Sequence, residues 1–262
     1  MHSSFSSDSS TPMENMIQRS IELGLKGITF TEHLDPDYPA TPDGLDFSLD
    51  IPAYREKLQK LQDTYRDQIQ VRFGIELGLQ MHLSDYFYSL LAETPFDFII
   101  GSSHLVHGYD PYYPEFFEGR KEFYCYMEYF ESILENISVY DGFDVYGHID
   151  YVVRYGPNKN REYSYGRYKD ILDEILKKLI SMGKGIELNT GGYHYGLGEP
   201  NPCTAVIRRY RELGGEIITI GADAHTPDKI ACAFDKAASV LEACGFRYYT
   251  IFKDRKPEFI SL

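Results

Sequence analysis

Five apolar runs in this sequence carry, or lead into, a residue that can bind a metal or move a proton. GITF (27–30) leads into Thr31-Glu32-His33, and VRFGIEL (71–77) carries Glu76. FDFIIG (96–101) leads into Ser102-Ser103-His104, FDVYG (143–147) into His148-Ile149-Asp150, and EIITIG (216–221) into Ala222-Asp223-Ala224-His225. His2 and Asp8 stand six apart in a serine-rich stretch before the first helical segment. Each has an ordinary explanation when taken alone. A single histidine after a strand is commonly hydrogen-bonded or solvated, and a single glutamate in a strand is commonly paired with a cation. The conjunction carries the argument. Four of the eight histidines fall at strand ends and a fifth opens the chain, whereas His82, His107 and His194 lie in helical or loop text. Imidazoles and carboxylates gathered in such number need cations to offset their desolvation.

The ligand types narrow the ion. Imidazole with carboxylate, and no cysteine, suits Zn²⁺, Mn²⁺ or Fe²⁺ better than a structural thiolate zinc site. His2, Asp8, His33, Glu76, His104, His148, Asp223 and His225 make eight side chains. A metal with one open position uses three or four protein ligands, so this set implies two or three divalent ions. Glu76 is the natural bridge, since its two oxygens can reach different metals. Two ions about 3.5–4 Å apart can activate a shared water and stabilise both the attacking and the leaving oxygen. That is chemistry for hydrolysing phosphate esters or amides.

Such side chains need a scaffold that brings strand ends together. Besides the five runs, KGIELN (184–189) reads as a sixth strand. Between the runs, helical spacing covers 12–24, 51–67, 82–93, 119–138, 165–182, 202–213 and 228–244. Pro12 and Pro52 fall in first turns and Gly24 follows a last one, as helix starts and stops require. Alternating strand and helix predict an α/β fold with a largely parallel sheet, and at this length a barrel or a doubly wound sheet. In a parallel barrel the C-terminal strand ends share one face, where active sites are built. No GxGxxG or GxxxxGK[ST] follows a strand, so nucleotide-cradling loops are not signalled. Segments 34–50 and 157–166 read as loops over the strand ends, and the whole of 1–262 as one domain.

In this order HSSFSSD, TEH, GIELG, SSH, GHID and GADAH resemble the polymerase-and-histidinol-phosphatase (PHP) family over nearly the whole chain. Within it, the length, GHIDYVVRYG and the later ELNT look like the histidinol-phosphatase branch. The resemblance implies a distorted (β/α)7 barrel with a trinuclear centre. It makes the eight residues above metal ligands, with Glu76 bridging and Glu76, Asp8 and His33 forming the catalytic set. It makes Arg154 the arginine that meets the substrate phosphate. His194 stands where relatives often carry arginine, and is expected to bind substrate too. The implied reaction is hydrolysis of L-histidinol phosphate to L-histidinol and phosphate, in histidine biosynthesis. The alternatives are a PHP phosphoesterase acting on another small phosphomonoester, or a non-catalytic metal-binding protein. The family opens with a strand ending in His-x-His. Here Met1 occupies the middle position, so the expectation is a barrel lacking its first strand, from a chain begun at an internal methionine.

Composition bounds the partners. Lys and Arg number 26 against 40 Asp and Glu, a net charge of −14, which argues against nucleic acid and anionic membrane surfaces. No run approaches the roughly 20 apolar residues of a spanning helix. MHSSFSSDSSTP has neither the basic residues nor the apolar core of a signal peptide. Four cysteines without CxxC spacing fit a reducing cytoplasm. The partner that the resemblance implies is a small phosphate ester, whose ammonium group would suit an acidic rim from Asp35, Asp37, Asp43 and Asp46; the same loop reads equally well as a solvated one. The oligomeric state is left open.

Overall fold

An apolar strand returning through an amphipathic helix is the repeating unit, and the computed structural model, which describes residues 1–262, joins these units into one curled parallel sheet. The order is α1 (Met13–Glu22), β1 (Gly27–Leu34), α2 (Ile51–Tyr65), β2 (Gln70–Gly78), α3 (Ser84–Glu93), β3 (Phe98–Ser102), α4 (Glu122–Val139), β4 (Val145–Tyr146), α5 (Lys169–Ser181), β5 (Gly185–Asn189), the single turn α6 (Gly191–His194), α7 (Thr204–Glu212), β6 (Ile218–Gly221) and α8 (Phe234–Ala243), closed by an antiparallel hairpin of β7 (Tyr248–Lys253) and β8 (Lys256–Ser261). Strands β1 to β6 lie side by side in sequence order, all parallel.

Parallel strands of this kind are buried on both faces. On the outer face Phe30, Ile75, Leu77, Ile99, Ile186 and Leu188 join one continuous core with helix residues such as Ile17, Leu58, Ile133 and Leu176. Tyr54 ties helix to sheet: from α2 its hydroxyl lies 3.1 Å from Phe30 O and 3.0 Å from Gly74 O, so it donates into the first two strands. The inner face is layered. At the N-terminal ends of the strands, Phe98, Ile100 and Val145 form a separate small core with Phe252 of β7. Arg255, just beyond β7, is locked there by Asp144 at 2.8 Å and by Gly142 O at 2.7 Å. The hairpin thus plugs one end of the barrel, and the polar residues occupy the other.

The helices fall within a few residues of the predicted spans, apart from 165–182 and 228–244, which open with 3₁₀ or irregular turns before the regular helix. Three features differ from the sequence reading. Strand β1 continues through Leu34, so Thr31, Glu32 and His33 are strand residues and not its exit. Strand β4 shrinks to two residues. The hairpin was not anticipated, because its apolar text lacks a helical partner. The barrel contains six parallel strands, with β1 and β6 at the two edges. Met1 and His2 stitch that gap: Met1 O accepts from Thr31 N and His2 N donates to Ala224 O, both at 2.9 Å.

Candidate metal centre

Alternation along the strands points His33, Glu76, Ser102 and Glu187 into the barrel, and loops just past β3, β4 and β6 add His104, His148, Asp223 and His225. His33 and Glu76 face each other in register across β1 and β2. Glu76 is the hub. Its Oε1 lies 3.0 Å from His148 Nε2 and 3.2 Å from His104 Nε2, and accepts the Ser102 hydroxyl at 2.6 Å. Its Oε2 lies 3.5 Å from His2 Nε2 and 3.9 Å from His33 Nδ1. Asp223 Oδ1 is 3.4 Å from His2 Nε2. Asp8 Oδ2 is 3.0 Å from His225 Nε2 and 3.6 Å from His33 Nε2. The His2 ring stacks between those of His33 and His225, with centroids 4.0 and 4.3 Å away. All eight side chains that the sequence singled out therefore meet in one pocket.

The donor set fits divalent cations. Contacts of 3.4–3.9 Å are too long for hydrogen bonds. They are close to the spacing of about 3.4 Å between two ligand atoms each about 2.1 Å from one tetrahedral ion. His33 Nδ1, His148 Nδ1 and His225 Nε2 are buried without a hydrogen-bond partner. Three overlapping groups have ligand atoms within 4.8 Å of one another: His2 with His33 and His225, His33 with Glu76 and His104, and His2 with Glu76 and Asp223.

Hydrogen bonds choose which nitrogen of each ring faces inward. His225 Nδ1 lies 2.9 Å from Asp223 O, which can only accept, so Nδ1 carries a proton and Nε2 is turned toward Asp8. Asp223 has φ 53°, a left-handed conformation that brings this carbonyl back onto the ring. His104 Nδ1 is held at 2.8 Å by Asp35, leaving Nε2 toward Glu76. Burial would raise Glu76, but hydrogen bonds from His104 and His148 overcome it and hold the carboxyl well below its ordinary range. Burial beside His33 and His225 keeps His2 well below the usual histidine value, and therefore neutral. His225 is raised to about 9, because Asp8 and Asp223 outweigh its burial.

Arg154 enters from the turn after β4 and is buried. Its Nε donates to Asn201 Oδ1 and its Nη1 to Asp223 Oδ2, both at 2.8 Å, while Nη2 has no partner. The guanidinium lies over Tyr195, 4.8 Å from the ring centroid. A side chain at Gly191 would come within 3.1 Å of Nη2, so glycine there keeps the face open. Arg154, His104, His148, Asp8 and Asp223 line an inner cavity of about 70 Å³, which shares walls with an outer chamber of about 450 Å³. His194 is not in the cluster. It sits exposed on the wall of the outer chamber, edge-on to Tyr195.

Several residues were missed or misplaced. Asp35 was read as part of an acidic rim. It is buried, orients His104, and keeps Oδ2 without a partner beside the cavity. It fits there because the second glycine of GIELG makes room: a Cβ at Gly78 would stand 1.8 Å from Asp35 Oδ1. The other aspartates of that loop face outward, with Asp37 on His82 and Asp43 on the Tyr113 hydroxyl. Glu187, inside an apolar strand text, accepts from His148 N at 3.2 Å and is raised by burial. Asp150 reaches Arg154 indirectly, by accepting from Asn201 Nδ2 at 2.6 Å. A polar residue at an inward strand position was the only sequence signal for Glu187.

Known proteins share this fold. The PHP domain model matches residues 1–191. The histidinol-phosphatase of Lactococcus lactis subsp. lactis is 31% identical over 256 residues, 97% of this chain and 93% of that protein. A crystal structure of histidinol phosphate phosphatase from the same organism, complexed with zinc, L-histidinol and phosphate, superposes with a TM-score of 0.91 at 30% identity, covering 98% of this chain and 97% of that one. With the family model spanning most of its length and this relative nearly all of it, the chain belongs to the PHP family, in its histidinol-phosphatase branch.

Proposed function

We propose that this chain hydrolyses L-histidinol phosphate to L-histidinol and phosphate. The observation that carries the reading is the near full-length likeness to a phosphatase structure complexed with zinc, L-histidinol and phosphate. The eight-residue pocket with Arg154 at its wall agrees with it. His2, Asp8, His33, Glu76, His104, His148, Asp223 and His225 would hold two or three divalent ions, zinc first and Mn²⁺ or Fe²⁺ as the alternatives. Bound ions supply a water that is nucleophilic at neutral pH and a Lewis acid for the phosphoryl oxygens.

The protein's own groups do the rest. Arg154 presents Nη2 to a phosphoryl oxygen, with its plane fixed by Asn201 and Asp223. Glu76 sits at the centre of the charge array, and Asp8 and His33 flank it. Tyr38, Phe47, Tyr151, Tyr155 and Tyr195 wall the cavity and restrict water. His194 meets the part of a substrate that extends into the outer chamber. The continuous core supports one domain over 1–262, and four free cysteines support a reducing, cytoplasmic setting. No helix is long and apolar enough to cross a membrane.

The test is metal analysis of the purified protein together with phosphate release from L-histidinol phosphate and a panel of small phosphomonoesters. The expected result is bound divalent metal and the highest kcat/KM on L-histidinol phosphate. Equal kcat/KM across the panel would overturn the substrate, and no phosphate release by metal-loaded protein would overturn the enzyme.

A further inference from the structure

Asp150 is buried in the turn after β4 and meets no cation directly. Both of its oxygens accept from neutral donors: Oδ1 from Asn201 Nδ2 at 2.6 Å and Oδ2 from Cys203 N at 2.8 Å. Burial pushes the carboxyl up, against the pull of these bonds and of the Arg154 charge. Asn201 is buried as well, and its backbone is pinned to the end of β5. Asn189 N donates to Asn201 O and Asn201 N to Asn189 O, both at 2.8 Å. Its side chain therefore spans a fixed gap between Asp150 and Arg154.

Charge dictates which way that amide points. An arginine only donates and a carboxylate only accepts, so the Asn201 oxygen must face Arg154 Nε and Nδ2 must face Asp150. The bonds run that way. Placing an amide here, and not a carboxylate, matters for the guanidinium. Nε and Nη2 share one edge, and a carboxylate set against that edge would bridge both. A single amide oxygen takes Nε alone, at 2.8 Å, and Nη2 stays without a protein partner at the cavity wall. Asp223 holds Nη1 at 2.8 Å.

We propose that Asp150 is a positioning residue: by holding the Asn201 amide in this orientation it fixes the pose of Arg154 and keeps Nη2 open to a phosphoryl oxygen. Asp150 thereby balances the arginine's charge across one amide without occupying the donor that a substrate needs. The inference rests on the phosphate reading of Arg154 given above. The competing role is purely structural, since the bond from Cys203 N also ties the turn after β4 to the start of α7.

Asp150→Ala frees the Asn201 amide to turn. Asp150→Ser, whose hydroxyl can still accept from Cys203 N but falls short of Asn201, replaces it if that protein does not fold. Two readouts are taken on the whole chain incubated with zinc. One is hydrogen exchange of the Arg154 Nε–H by ¹⁵N NMR, assigned with Arg154→Lys. The other is binding of inorganic phosphate by calorimetry, repeated in an Arg154→Ala background. In wild type the Nε–H should exchange more slowly than that of an exposed arginine such as Arg55. Asp150→Ala should speed the exchange and weaken phosphate binding about 10–100-fold, the worth of one charge-assisted contact. With Arg154 already removed, the same substitution should change phosphate binding by less than about twofold. An equal loss in both backgrounds would make Asp150 structural and overturn the proposal, as would a wild-type Nε–H that exchanges like that of Arg55. Arg154→Ala protein that binds phosphate as wild type does would sink the phosphate reading instead. The exchange rate in Asp150→Ala would still decide whether Asp150 positions the arginine, and an unchanged rate would overturn it.

Discussion

Arg154→Ala separates a phosphate-binding arginine from one that merely neutralises Asp223. The side chain has three attachments: Asn201 on Nε, Asp223 on Nη1, and the cavity on an Nη2 without a protein partner. Burial disfavours its charge, but Asp223 outweighs that and holds the guanidinium above its ordinary value, so it stays a cation at every working pH. A hydrogen bond to a charged group contributes about 1.5–3 kcal/mol. Losing one such contact in the transition state should lower kcat/KM by about 10–150-fold. Arg154→Lys should recover little, because one ammonium cannot span Asn201, Asp223 and the cavity together. The assay is steady-state phosphate release, with competitive inhibition by inorganic phosphate measured in parallel. Both kcat/KM and phosphate affinity should fall. An Ala variant within twofold of wild type in both would show that Nη2 meets no phosphate, and that Arg154 serves only its protein partners.

Glu76→Gln should abolish turnover by several orders of magnitude and reduce metal content while the melting temperature of metal-free protein changes little, which metal analysis and calorimetry check together. Chelation should remove activity and added zinc or manganese restore it. Asp173 clamps α5 to α7 through Arg209 at 2.7 and 2.9 Å, and Arg209 lowers its carboxyl to about 2. Its contribution is present above the unfolded value of about 4 and is lost as pH falls through about 2. The stability gap between wild type and Asp173→Asn, about 1–2 kcal/mol after solvent screening, should accordingly be full near pH 6 and narrow below pH 4 in urea titrations. Phe252→Ala should destabilise the fold by about 3–5 kcal/mol and leave kcat/KM unchanged in folded protein, since the plug lies at the far end of the barrel.

The convergence of the eight side chains was legible because a parallel sheet collects its strand ends. Once the alternation of strand and helix was recognised, any polar residue closing an apolar run had to lie on the same face as the others. The residues that orient these side chains left no such trace. Asp35 sits in an acidic, proline-rich stretch where each aspartate looks solvated, and only the space over Gly78 distinguishes it from Asp37. Asn201 and Asp150 are far apart in sequence and acquire their role by meeting Arg154. The hairpin was hidden for a different reason. Two-stranded antiparallel text carries no crossover helix, and Phe252 resembles any other exposed aromatic until the barrel end it fills is known.

The stitching of the two chain ends bears on how the site comes into being. Ser9 and Thr11 donate to His225 O at 2.8 and 3.0 Å, across 216 and 214 residues. Contacts of such separation carry the largest loop-closure entropy and form late in folding. In synthesis order His2 and Asp8 precede every strand, yet Asp223 and His225 arrive only after all six parallel strands. Partly synthesised chains therefore present an incomplete cluster until β6 and the loop beyond it have been made. A chain stopped before β6 would have five of the six parallel strands and six of the eight converging side chains, and would lack Asp223, Arg154's acidic partner, and His225, which takes the Ser9 and Thr11 bonds.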